Sequence, residues 1–230
     1  MKKICILLIC SLIMVSCNSI SQPFSHTIID WVDFVKINGK EYEALYSVII
    51  ADPKNIGEKI GEVKFKVSDN VSNPSYRTKD GDAAFWNKGT EIFSVIDRED
   101  LIAIQDKNSI NGYRIYYSRS EDSNFNYHYK DINLESINKI ELYEGNNPIL
   151  INSLEDETEI NDLLSILNEG TVSSSFSPNT THGDPATYQI VLYSEEEIGY
   201  YYSLFFDGNV WFWHPWDTSI ISNEIELYFN

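Results

Sequence analysis

The stretch from 153 to 170, SLEDETEINDLLSILNEG, decides the fold class of this chain. Within it Ile160, Leu163, Leu164 and Leu167 recur at i, i+3, i+4 and i+7, the stripe of a helix that buries one face. Ser153-Leu154-Glu155-Asp156 has the form of a capping box before that stripe. Glu155-Asp156-Glu157 suits the positive end of a helix dipole, and Gly170 is placed to close the far end. The spacing predicts a helix over 155–169.

Working outward, the neighbouring segments have a different period. Residues 137–143, 188–193 and 200–206 are β-branched and aromatic runs bounded by turn residues, which predicts strands. Glu195-Glu196-Glu197 reads as a hairpin tip. Asp207-Gly208 then turns the chain into Val210-Trp211-Phe212-Trp213. Residues 220–229 are ambiguous between helix and strand.

The earlier part of the chain reads mostly as strands. Val35-Lys36-Ile37 and Glu41-Tyr42 flank Asn38-Gly39, the dipeptide favoured in two-residue hairpin turns. Glu62-Val63-Lys64-Phe65-Lys66-Val67 alternates, predicting a strand with Val63, Phe65 and Val67 on one face. Asp82-Ala83-Ala84-Phe85-Trp86 reads as a short helical turn. Residues 90–96 read as a strand, and Leu101-Ile102-Ala103-Ile104 pairs with Tyr113-Arg114-Ile115-Tyr116-Tyr117. Such an array makes a small twisted sheet or partial barrel. The polar run Ser118-Arg119-Ser120-Glu121-Asp122-Ser123-Asn124 is the best boundary between the two parts. The prediction is an α+β fold of two small sheet-rich modules, a mostly-β one over 28–118 and an α+β one over 125–230. The second has one clear amphipathic helix packed on an antiparallel sheet.

The order strand, capped helix, Asn168-Glu169-Gly170 exit and aromatic Asp207-Gly208-Asn209-Val210-Trp211-Phe212-Trp213 hairpin resembles the YhfM-like module of uncharacterised Firmicute lipoproteins. Gly81-Asp82-Ala83-Ala84-Phe85 through Lys88-Gly89-Thr90-Glu91-Ile92-Phe93 is similar to a recurrent module of such proteins. The resemblance implies a fold and a location, and no activity.

The first residues agree with that location. Met1-Lys2-Lys3 is a positive start, followed over 4–15 by apolar or small residues. A bilayer core of about 30 Å needs roughly 20 apolar residues, so this run has the length of a signal-peptide core instead. It ends Met14-Val15-Ser16-Cys17, which resembles the lipobox of bacterial lipoproteins, with Met14 where leucine is usual. The expectation is a signal peptide over 1–16 and a lipidated Cys17, followed by a polar tether to residue 27. The other cysteines, Cys5 and Cys10, fall in the cleaved segment, so the mature body has no disulfide, cysteine nucleophile or thiolate metal site.

The chain has 35 acidic and 17 basic residues, a net charge of −18. Loss of 1–16 removes only Lys2 and Lys3 from this balance, which makes it more negative still. Such a charge argues against nucleic acid and against a polybasic membrane patch. Membrane attachment then falls to the lipid, whose two acyl chains suffice. A hydrophobic content of 43% supports a packed core rather than an acidic disordered chain.

No recognised catalytic or cofactor motif is present. His26, His128, His182 and His214 include no pair at helical ligand spacing, so no metal site is assigned, and His182 with Asp184 reads as a polar loop. No G-x-S-x-G occurs. Carboxylate clusters at Asp80/Asp82, Asp97/Glu99/Asp100, Glu155 to Glu159 and Glu195 to Glu197 are what an acidic chain produces by chance. The loop from Asp106 to Gly112 fails as a calcium loop, because Ile110 and Tyr117 stand where ligands are needed.

The unusual constellation is aromatic: Tyr200, Tyr201, Tyr202, Phe205, Phe206, Trp211, Phe212, Trp213 and Trp216. Strand geometry puts Trp211 and Trp213 on one face and Phe212 on the other. Either a helix covers one face and the rings fill a core, or some rings form a sugar or peptide platform. Trp211, Trp213, His214 and Trp216 are the candidate binding residues. The expected function is a non-enzymatic binding or accessory module at the envelope, with an envelope protein or cell-wall glycan as partner. The alternative is a cell-wall glycan hydrolase using paired carboxylates.

Overall fold

The structure, a computed structural model, describes residues 29–118 and 128–229. The export segment, Cys17, the tether with His26 and most of the boundary run lie outside the described residues. What is described is a mixed α+β fold of two sheets and one clear helix.

The first sheet contains β1 (Phe34–Ile37), β2 (Lys40–Leu45), β4 (Ile56–Glu62), β5 (Phe65–Lys66), β6 (Asp82–Ala83), β7 (Glu91–Val95), β8 (Arg98–Gln105) and β9 (Tyr113–Ser118). Their order is β4-β7-β8-β9-β2-β1-β6-β5. Asn38 and Gly39 both take positive φ, 52° and 76°, as a two-residue hairpin between β1 and β2 requires. The outer strands β4 and β5 are separated in sequence only by Val63 and Lys64, so the two edges of the sheet are drawn together. It curls around Val35, Ile37, Val63, Ile92, Ile102, Ile104 and Tyr116, all buried. A partial barrel is the result.

The second sheet contains β10 (Lys139–Glu144), β11 (Ile149–Leu154), β12 (Thr171–Val172), β13 (Ala186–Tyr193), β14 (Ile198–Phe206), β15 (Trp211–Trp213) and β16 (Ser219–Ile221). Its eighth strand, β3 (Val48–Ile50), comes from the first half of the chain and pairs antiparallel with the start of β14. β15 pairs with the end of the same edge of β14, through Leu204↔Trp213 to Phe206↔Trp211. Residues 201–203 lie between these two partners.

The long helix α2 (Glu157–Asn168) buries Ile160, Leu163, Leu164 and Leu167, the predicted stripe. Each such side chain contributes about 1.5–3 kcal/mol relative to exposure. They join a core cluster that also takes Leu45, Val95, Leu101 and Ile115 from the first sheet and Ile140, Ile190 and Leu204 from the second. The two halves therefore share one core.

Four local expectations are corrected. The helix is capped by Asp156, whose side chain accepts from the N–H groups of Thr158 and Glu159, while Ser153 belongs to β11. Gly170 is not a left-handed cap. A Cβ there would lie 2.3 Å from Ser219 Oγ and 2.9 Å from Ile221 Cγ2, so it is the close approach to β16 that requires glycine. The run Glu62 to Val67 is not one strand. β4 ends at Glu62, and Val67 begins the single turn α1 (Val67–Asn70), so Val63 faces the barrel interior while Val67 packs outside with Phe34 and Tyr76. Asp82-Ala83 is a strand rather than a helical turn, because Asp82 is held by Tyr76 Oη and the Lys79 N–H while Ala83 pairs with Val35. The ambiguous end resolves into both types: β16, then a 3-10 helix over Asn223–Tyr228.

Candidate functional site

β15 is short, and its two neighbours set its packing. Phe212 faces Phe205 and Ile220, and the Phe176 ring lies 4.9 Å away over it. Trp211 and Trp213 point the other way, toward the shared core. Trp211 stacks between Phe206 at 5.1 Å and Phe229 at 4.9 Å. Trp213 meets Tyr129 edge-on at 4.7 Å and Tyr202 at 5.8 Å. Their exposures are 2% and 1%. The expectation that these two tryptophans belong to a binding surface is corrected: both faces of the sheet are covered, and the rings are core. The buried indole N–H groups of both have no hydrogen-bond partner among the described residues.

The chain leaves the core at His214, and here the sequence reading meets an accessible surface. His214 is exposed, with Nδ1 3.1 Å from Thr218 Oγ1. Trp216 is 68% exposed. Its ring meets His128 edge-on at 5.0 Å and carries Lys130 Nζ 5.0 Å from its centroid.

This loop separates two open depressions. One, of about 480 Å³, holds His214 with Glu43, Tyr46, Tyr117, Tyr201 and Phe205. It lies where residues 201–203 of β14 pass between β3 and β15. The other, of about 380 Å³, holds Trp216, Tyr129, Leu167, Trp213 and Asp217. The rings of Tyr129, Trp213 and Tyr202 pack against one another between them.

Two further depressions continue from the first. One of about 190 Å³ shares Leu45, Tyr46 and Tyr201 with it and adds Arg114, Asn146 and Pro148. The next, of about 420 Å³, shares Asn108, Ser109, Ile110 and Pro148 with that one and adds Lys107 and Asn147. This row escaped sequence reasoning. Its residues come mainly from the β2–β3, β8–β9 and β10–β11 turns and from strands β2, β3, β9 and β14, and no spacing in the chain connects them.

The polar groups beside the row are mostly committed. Asp33 is buried and accepts from Tyr46 Oη at 2.9 Å, Tyr116 Oη at 3.0 Å and Arg114 at 3.5 Å. Arg114 also donates to Asp106 at 2.9 Å. Burial, foremost, raises the pKa of Tyr201 and Tyr202, so these hydroxyls stay protonated at neutral pH. They serve as hydrogen-bonding groups, not bases.

Members of three of the carboxylate clusters are engaged in the fold. Asp80 accepts from the Gly39 N–H, Asp100 pairs with Arg98, and Glu195 accepts from Asn138. Among the described residues, none of these four depressions is lined by more than one carboxylate. His182 is exposed, and no three metal-ligating side chains cluster among the described residues. No helix among the described residues is long and apolar enough to cross a membrane.

No protein-family model matches this chain, and neither a curated protein nor a solved structure matches it.

Proposed function

We propose that this protein is a lipid-anchored binding module on the extracytoplasmic face of a bacterial cell membrane, held there through Cys17, and that it acts without catalysing a reaction. The anchor follows from the apolar run ending Val15-Ser16-Cys17. The binding role rests on one observation: the loop carrying His214 and Trp216 stands as a ridge between two open depressions rich in aromatic rings. Aromatic rings beside a few polar groups, on a loop held by a rigid sheet, form a recognition surface. The alternative, glycan hydrolysis by two carboxylates roughly 5–9.5 Å apart in one cleft, needs a pair that the described residues of these depressions do not provide.

In-cell crosslinking followed by mass spectrometry tests this reading. The anchored protein is compared with Cys17→Ser, His214→Ala and Trp216→Ala. The expected result is an envelope partner captured by the anchored protein and lost from the two loop variants. Capture unchanged by both loop substitutions would remove the loop from the binding surface. Turnover of an envelope substrate by the purified protein would overturn the non-enzymatic reading.

A further inference from the structure

We infer that the row of depressions along the seam of the two sheets is a binding groove for a linear, neutral glycan, an inference that rests on the binding-module reading and names its ligand class. The depression beside His214 shares Leu45, Tyr46 and Tyr201 with the second, and the second shares Asn108, Ser109, Ile110 and Pro148 with the third, so the three lie side by side. Sites in series suit a linear polymer better than a compact ligand.

The chemistry of the second and third depressions selects the polymer. In a chain with 35 acidic residues, neither is lined by a carboxylate among the described residues. Asn108, Asn146 and Asn147 border them, and their side chains make no hydrogen bond among the described residues. Each amide offers a donor and an acceptor side by side, which matches neighbouring hydroxyl groups without desolvating a charge. Tyr46, 65% exposed at the junction with Arg114 5.9 Å from its ring centroid, adds an aromatic ring beside these amides. The cations nearby are few: Lys107 stands at the far end, and Arg114 is already held by Asp33 and Asp106. Turn geometry accounts for asparagine in each hairpin. It does not account for two turns from different halves of the chain facing one groove.

An extended peptide fits less well. It would seek an open strand edge, and the outer edge of β3 is occupied where Asn111 Nδ2 donates to the carbonyls of Ile50 and Ala51 at 2.9 and 3.1 Å.

The test uses the full chain carrying Cys17→Ser, titrated calorimetrically with linear neutral oligosaccharides from disaccharide to octasaccharide. Affinity is expected to rise with length until the groove is filled. Asn108→Ala and Asn147→Ala should each weaken binding by up to about tenfold, the worth of one or two hydrogen bonds. Asn108→Asp keeps the shape but replaces the donor and should also weaken it. Unaltered melting temperatures would show that the variants fold. The inference is overturned if no oligosaccharide binds, if the asparagine variants bind as well as the parent, or if a neutral extended peptide competes for the groove. Should glycan binding be absent while His214→Ala still abolishes capture of an envelope protein, the ligand class fails and the binding-module reading stands. Loss of both would remove both.

Discussion

Ile50 faces Ile198 across the β3–β14 ladder, so a residue from the first third of the chain completes a sheet otherwise built from the later part. Both side chains are fully buried in the shared core. This pairing makes the two halves one packing unit. It also leaves the gap beside residues 201–203 that becomes the His214 depression.

Ile50→Ala should therefore destabilise the whole protein. Its expected cost is about 2–5 kcal/mol, the range for removing a buried isoleucine side chain from a packed core. Trp31 and Trp86 lie in the first half, while Trp211, Trp213 and Trp216 lie in the second. Denaturation followed by tryptophan fluorescence and by circular dichroism should give coincident transitions, both shifted. If one half unfolds at the parental midpoint, the shared core does not couple them.

Gly170→Ala should cost about 1–3 kcal/mol through overpacking against Ser219 and Ile221. Asparagine distinguishes this cause from a capping role, since a left-handed cap accepts asparagine well. Gly170→Asn is expected to be at least as damaging as Gly170→Ala in thermal melts. A milder effect of asparagine would restore the capping explanation.

The helix cap gives a paired comparison. Asp156→Ala removes the acceptor for the Thr158 and Glu159 N–H groups and should cost about 1 kcal/mol. Ser153→Ala should change little, because Ser153 sits in an edge strand away from the helix start. Chemical denaturation of both variants checks this. Equal losses would contradict the cap geometry.

Glu141 supplies a pH dependence. Burial opposes its charge, but hydrogen bonds from Lys139, Tyr143 and Tyr193 outweigh burial and hold its pKa below the ordinary glutamate value. A depressed folded-state pKa means that the unfolded chain binds the proton more tightly. The contribution is thus complete above the unfolded value of about 4.3 and is lost as pH falls through the lower folded value. Glu141→Gln should be less stable at neutral pH and should lose stability less steeply on acidification. Urea unfolding between neutral pH and pH of about 3 tests this. Superimposable pH curves would sink the assignment.

What the amino-acid sequence determined by itself is the set of features whose physical cause is local. Asn38-Gly39 forms its hairpin because those residues tolerate positive φ. The 160–167 stripe forms a helix because its spacing places four side chains on one face. The β8 and β9 runs pair because both are strand-forming and close in sequence. Tertiary structure decided the rest. No alternation could announce β3, since its three residues Val48, Ile49 and Ile50 are too few to show a period, and its partner lies about 150 positions away. The burial of Trp211 and Trp213 depended on Tyr129, Tyr188 and Phe229 packing on one face of β15 while Phe176 covered the other. The groove depended on turns from both halves meeting at one seam, and only the folded chain brings such distant residues together.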